Sequence, residues 1–310
     1  MGITFDYFNH KRYDILTVRE TVPNFSGISL PPVNLGIVNN KGFELDLSYQ
    51  NKLSENFSYF VKGNISIYKN KIIYRDEPYN QGNPLLMRTG RPIGQIYGYT
   101  NIGFYNDAAD IANSPTSVGR VVKPGDLKYA DINNDGKIDQ GDIGPIGNPN
   151  IPQINYGFSL GTSYKGFDVS VLFQGAAKGS LSASTMFQIG NVNGTPSEIH
   201  LSRWTPETKE TALLPRLGGA NFDQSTFWLR PTDYIRLKNV ELGYNFNNKL
   251  VSKIGLSSAR IYGSAANLIT WFKLKIYDVD PESINSTGTV EAYSSYPQQK
   301  IVNLGLQVTF

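Results

Sequence analysis

These 310 residues predict an all-β fold of antiparallel strands, and three observations carry that expectation. Tyrosine (19), phenylalanine (16) and glycine (30) are abundant while charged residues make up only 18%, a balance suited to pleated, half-buried surfaces. Several stretches alternate apolar and polar residues with period two. Short connections between these stretches alternate with long ones, the pattern of a barrel whose turns are tight at one end and extended at the other.

The first strand occupies residues 2 to 9, with Ile3, Phe5 and Tyr7 on one side and Thr4 and Asp6 on the other. After a Pro- and Asn-rich connection, Phe43, Leu45, Leu47 and Tyr49 alternate with Glu44, Asp46, Ser48 and Gln50. The short link NKLSENF leads to a return strand in which Tyr59, Val61, Ile65 and Ile67 oppose Ser58, Lys62, Asn64 and Ser66. This is an antiparallel hairpin with one wet face. A second hairpin places Ile154, Tyr156, Phe158 and Leu160 on one side and, after Lys165-Gly166, Phe167, Val169, Val171 and Phe173. YIRLKNVELGYNFN follows, with Val240, Leu242, Tyr244 and Phe246 on one face. SARIYGSAANL is a weaker strand, and in QKIVNLGLQVTF Val302, Leu304, Leu306, Val308 and Phe310 share a face.

Alternation fits both a membrane barrel and a soluble sandwich. Aromatic residues at strand ends, as with Tyr156 and Tyr164, Phe167 and Phe173, and Tyr244 and Phe246, suit the two interfaces of a bilayer. The competing explanation is that aromatics are simply common in strands. No run reaches the eighteen apolar residues of a membrane helix, which excludes helical spanning only. The N-terminus lacks the basic and apolar regions of a signal peptide, so either the protein stays in the cytoplasm or Met1 is not its true start, and the rest of the chain favours the second expectation.

Three long excursions, 70–152, 176–230 and 276–297, interrupt the strands with Gly, Pro and Asn. Segments of this length are expected to be functional, and in a barrel they lie on the extracellular side. Near the end of the first is DINNDGKIDQGD, with oxygen-bearing side chains at loop positions 1, 3, 5, 9 and 12: Asp131, Asn133, Asp135, Asp139 and Asp142. Gly136 stands at position 6, and Lys137 would add its backbone carbonyl at position 7. That is the spacing of a calcium loop, since a hard divalent ion requires six or more oxygens and a tight turn beneath them. Neither flank reads as helical, and the last ligand is aspartate rather than glutamate, which points to weak, extracellular-range affinity. Ile138 is the apolar anchor. The same residues also build Asx-turns without a metal; four carboxylates in twelve residues favour a bound cation, because otherwise they repel one another.

Other chemistry is thinly represented. There is no cysteine, and the net charge of +3 without a basic run argues against nucleic acid. His10 and His200 have no metal-ligand spacing, and no nucleophilic-serine motif is present. Catalysis is therefore not expected.

Several segments, taken in order, resemble the SusC/RagA family of TonB-dependent outer-membrane transporters of Bacteroidetes. They are RTGRPIGQIYGY at 88–99, PGDLKYADINNDGKID from Pro124 to Asp139, and GNPNIPQINYGFSLGTSYKGFDVSVLFQG from Gly147 to Gly175. RWTPE at 203–207, Pro215-Arg216, YIRLKNVELGY at 234–244, Asn267-Leu268, Asp280-Pro281-Glu282 and Phe310 continue the series. The resemblance covers residues 1–310 and implies the C-terminal portion of a transmembrane β-barrel, about the last eight to ten strands of the 22-stranded, plugged class. It places the signal peptide, TonB-contacting segment and plug outside this chain, and Phe310 at the position read by the outer-membrane assembly machinery. It further implies energy-driven uptake of oligosaccharides or peptides, a SusD-like surface lipoprotein and a TonB complex as partners, and outer-membrane lipid around the strands. Calcium in the Asp131–Asp142 loop would then be structural. The competing fold is a secreted, calcium-stabilised β-sandwich that binds glycans or surfaces.

Overall fold

A computed structural model describes residues 1–21, 30–184, 198–219, 221–272, 280–282 and 298–310, the side chains of 248 and 249 aside. Most of the expected excursion 276–297, and residues 185–197 and 220 of the excursion 176–230, lie outside the described residues.

Eight long strands form one sheet whose spatial order is the chain order: β1 (Gly2–Thr17), β2 (Val33–Ser54), β3 (Phe57–Tyr74), β4 (Ile154–Tyr164), β5 (Phe167–Ala177), β6 (Tyr234–Asn245), β7 (Ser258–Phe272) and β8 (Ile301–Thr309). Every neighbouring pair is antiparallel. β1 and β8 are the two edges of this sheet. The strands of the two N-terminal hairpins run well past the stretches that alternate clearly. β2 begins at Val33 and β3 continues to Tyr74 because the Asn- and Lys-rich residues 39–41 and 69–71 remain in backbone register with each other, and 39–41 with β1 as well, so that pairing outweighs weak local propensity.

Register assigns each face. Tyr49, Val61, Leu160, Val171, Val240, Ala265 and Val302 stand side by side across seven strands. Phe5, Leu45, Ile65, Tyr156, Ile235 and Trp271 belong to a second row on that face. The opposite face carries Glu44, Ser66 and Asn155 in one row and Asp168, Gly243 and Tyr262 in another. Many of the large apolar residues are exposed, Leu304 at 81% and Val302 at 76% among them, and no second sheet covers them among the described residues. A sandwich buries this face against its partner sheet; a membrane barrel presents it to lipid.

The connections sort in the same way. Glu55-Asn56, Lys165-Gly166 and residues 246–257 close one end of the sheet, while the long excursions leave from the other. Beside the short connections, Tyr49, Phe57, Tyr59, Tyr164, Phe167, Tyr244 and Phe246 form a belt of ring contacts with centroids 4.6–6.2 Å apart. A second group, nearer the long connections, stacks Phe158 on Phe173 at 4.6 Å and Phe173 beside Trp271 at 6.4 Å. Phe173 is therefore interior to β5 rather than at its end. From Tyr164 to Tyr156 is about 26 Å along the strand, or roughly 20 Å of depth at a 35–45° tilt, close to the ~25 Å apolar band of outer-membrane barrels.

A β-bulge marks β6 and β7. Lys238 is the extra residue of β6 against β5, and against β7 it stands alone opposite two residues, Asn267 and Leu268. Opposite it, Asn267 takes φ +54 and donates through Nδ2 to the Gln299 carbonyl at 3.0 Å; asparagine is among the few side chains that tolerate this backbone region.

Candidate functional site

The described parts of the first two long excursions fold together into a module at one end of the sheet. Its pairings are too short to show periodicity in sequence: Ile96–Gly98 with Gly144–Ile146, Asn101–Phe104 with Leu127–Tyr129, Ser180–Ser182 with Leu229–Pro231, and Thr116–Ser117 parallel to Lys137–Ile138. Tyr99, Leu127, Tyr129, Ile138, Leu181, Ala183, Leu214 and Trp228 form one buried core drawn from both the first and second excursions. Backbone bonds stitch the two together, with Tyr99 N–H donating to the Gln224 carbonyl and Thr226 N–H to the Tyr99 carbonyl, both at 2.9 Å.

Beneath this core lies a polar cluster. Asp126, 3% exposed, accepts from Asn221 Nδ2 at 2.9 Å and from the Lys123 N–H at 2.8 Å, and pairs with Arg216 at 2.7 Å. Asn221 accepts the Leu127 N–H at 2.9 Å, and its carbonyl takes Trp228 Nε1–H at 2.8 Å. Gly125, at φ +86, lies under Trp204, where a Cβ would come within 2.4 Å of the indole. This accounts physically for glycine in the PGD stretch. Arg120 pairs with Asp223 and lies over the rings of Tyr99 and Tyr129, which stack at 4.8 Å. Burial pushes both tyrosine hydroxyls above their ordinary range. Near the surface, the Lys128 ammonium 2.6 Å from Asp110 holds that carboxyl below the usual carboxylate range.

The predicted cation loop is folded around its own backbone. Asp131 accepts from the N–H groups of Asp135 (3.2 Å) and Gly136 (2.8 Å), and Asn133 Oδ1 from Asp135 N–H (3.0 Å). Asp135 accepts from Lys137 N–H at 2.9 Å, and Asp139 from Gly141 N–H at 2.6 Å. Gly136 has φ +79, the left-handed turn expected at position 6, and Ile138 is buried in the module core, as expected of the anchor. The pairing with Thr116–Ser117 uses the carbonyls of Gly136 and Ile138, so strand alternation turns the Lys137 carbonyl away from that strand. A Cβ on Gly141 would meet both Asn133 Nδ2 at 2.8 Å and Asp139 Oδ1 at 2.9 Å, so the side chains of positions 3 and 9 approach this glycine, with the Asn133 amide nitrogen also donating to Asp135 at 3.1 Å. Asp142 is placed differently. It is 1% exposed, and its two oxygens accept from Ile132 N–H (2.8 Å) and Asp139 N–H (2.9 Å), bracing the loop from below. Asn83 closes the outside, donating to the carbonyls of Gln140 and Ile143. Among the described residues no three His, Cys, Asp or Glu side chains gather as a metal centre.

Two histidines complete the survey of expected residues. His10 lies on β1 beside Phe8, and His200 is buried in the turn Glu198–Ser202. Sequence reasoning missed the charge latch on the barrel wall. Arg236, 1% exposed in β6, reaches Asp280 at 2.7 Å, Glu282 at 3.1 Å and Thr270 Oγ1 at 2.9 Å. Tyr234 OH donates to Glu282 at 2.9 Å, and Lys238, brought alongside by the bulge, is 3.4 Å from the same carboxylate. The Asp-Pro-Glu run and the arginine of YIRLKN were both visible, but nothing in their spacing pairs them.

No protein-family model matches the chain. TonB-dependent receptor P3 of Formosa agariphila is 27% identical over 329 residues, covering 100% of this chain and 32% of that protein. TonB-dependent receptor P26 of the same organism is 29% identical over 327 residues, covering 98% and 32%. Among solved structures, the RagAB peptide importer in its open-open state superimposes with TM-score 0.75 at 22% identity, covering 99% of this chain and 32% of that one. The RagAB peptide transporter gives 0.76 at 22% identity, covering 99% and 33%. The chain spans about a third of the length of the curated relatives it matches.

Proposed function

We propose that this chain, SusC/RagA-like in sequence and in fold, is the C-terminal portion of the barrel wall and loop module of a TonB-dependent outer-membrane transporter. The observation that carries the reading is the sheet itself, apolar and uncovered on one face and polar on the other, matched from end to end by receptor relatives. In this account the apolar face meets lipid, the polar face lines the lumen, and the module stands on the extracellular side. A cavity of about 270 Å³ where the module meets the polar face, walled by Val38, Ile72, Arg88 and Tyr97, belongs to the inward surface that cargo passes. The cargo is a large nutrient, oligosaccharide or peptide, captured with a SusD-like surface lipoprotein and moved with energy from a TonB complex. The role is transport rather than catalysis. Purification of the native receptor from outer membranes through a tag on an extracellular loop tests this. The expected product is a chain well above 34.4 kDa that retains a surface lipoprotein; a 34.4 kDa species recovered without one contradicts the account.

The Asp131–Asp142 loop is proposed as a structural calcium site. Asp131, Asn133, Asp135 and Asp139 would supply side-chain oxygens, Lys137 its carbonyl and Asp142 the buried carboxylate at the base. Support comes from the spacing of the oxygen-bearing residues, the left-handed turn at Gly136 and the buried anchor Ile138. The ion would neutralise the loop's carboxylates and fix its shape. Calorimetric titration of the receptor with Ca²⁺ should show binding at roughly 10⁻⁴–10⁻³ M, abolished in the double variant Asp131→Ala, Asp135→Ala. An unchanged titration in that variant removes the site.

A further inference from the structure

On the apolar side of the sheet, just beyond the hydrophobic rows, the register assembles four lysines. Asn9, Lys41 and Lys69 stand in one row across β1, β2 and β3, and Lys11, Asn39 and Lys71 in the next. Strand parity puts all six on the face of Tyr7, Phe43 and Ile67, the row immediately before them. All four lysines are exposed, and among the described residues none makes an ion pair. Lys11 lies over the Tyr13 ring at 5.0 Å. Asp6, Glu44 and Asp46 of the same strands have the opposite parity and so face the other side, while Asp14 lies in the bulge between Arg12 and Ile15 of β1 at φ +54.

Lys41 directly opposite Lys69 is a like-charge pair, which destabilises a sheet unless an anion lies between the partners. The cluster is on the long-connection side of the apolar band, away from the turn at Glu55-Asn56, which is the height of the outer leaflet if the barrel reading above holds. At that height and on that face the neighbour is lipid, and exposed Tyr7 and Tyr13 flank the charges with ring surface. We propose that Lys11, Lys41, Lys69 and Lys71 bind the phosphorylated head group of an outer-leaflet lipid, whose acyl chains run down the apolar rows below. Charge complementarity and continuity with the apolar band select this occupant. Spread lysine ammoniums suit several phosphate oxygens as point charges rather than one planar carboxylate.

The test uses the whole receptor in detergent, titrated with diphosphoryl lipid A and with its phosphate-free counterpart. The double variant Lys41→Gln, Lys69→Gln should bind the phosphorylated lipid at least about tenfold more weakly than wild type and the phosphate-free lipid equally well. Inorganic phosphate at the same concentration should not displace the lipid. Equal affinity of wild type and variant for the phosphorylated lipid overturns the inference, as does displacement by free phosphate. Reconstitution into bilayer discs separates the two claims. A receptor that enters discs with unaltered lipid preference refutes the lipid site alone, and one that does not enter refutes the barrel reading with it.

Discussion

Replacing Arg236 with methionine lowers the stability of the receptor by about 3–5 kcal/mol, the largest loss expected of any single substitution in the described chain. The side chain is 1% exposed and is shared among Asp280, Glu282 and Thr270. Methionine fills a similar volume but leaves Asp280 with no cation, only the backbone N–H groups of Glu282 (2.9 Å) and Gln298 (3.2 Å) among the described residues, and leaves Glu282 with Lys238 at 3.4 Å and the Tyr234 hydroxyl. Stranding a charge costs more than the intact pair contributed, because desolvation is no longer offset. The thermal midpoint of the detergent-solubilised receptor should fall, and residues 280–282 should become cleavable by added protease. Adding Asp280→Asn and Glu282→Gln to Arg236→Met should restore a large part of the loss, since the uncompensated charges are then gone. A variant within about 0.5 kcal/mol of wild type, the range of an ordinary surface change, would mean that the latch does not hold the connection to the wall.

How far the sequence led can be followed residue by residue. Period two was plain from Phe43 to Tyr49 and from Ile154 to Leu160, because one face there is uniformly apolar. It faded at Asn39, Asn40 and Lys41 and again at Lys69 to Lys71, where the strands continue with polar side chains on both faces. There the backbone ladder rather than the hydrophobic pattern keeps the strand, so local reading stopped short, and the lysine cluster stayed hidden because its members are thirty residues apart until β1, β2 and β3 are set in register. The loop module escaped for a different reason. Its strands are two to four residues long, below the length at which alternation is measurable, and its core joins Leu127 to Leu214 and Trp228 across the β4–β5 hairpin. The spacing of Asp131, Asn133, Asp135 and Asp139 was legible as ligand chemistry, and Ile138 as the anchor. That Asp142 would sink to 1% exposure and brace the backbone was not, since burial depends on Asn83 and the strands around it.

The orientation of the sheet is the central claim, and these 310 residues hold no cysteine of their own, so it can be read directly in a receptor whose remaining part is also made cysteine-free. Single cysteines placed in the whole receptor at Asp168, Val169, Ser170 and Val171 of β5, spin-labelled in the native outer membrane, report contact with oxygen dissolved in lipid and with a polar nickel chelate. β5 is flanked by β4 and β6 throughout this stretch, so each label samples only the space above its own face. The account predicts strict alternation: labels at 169 and 171 relaxed by oxygen and shielded from the chelate, labels at 168 and 170 the reverse. Loss of the alternation, or labels at 169 and 171 protected from both reagents as in a dry core between two sheets, would contradict it.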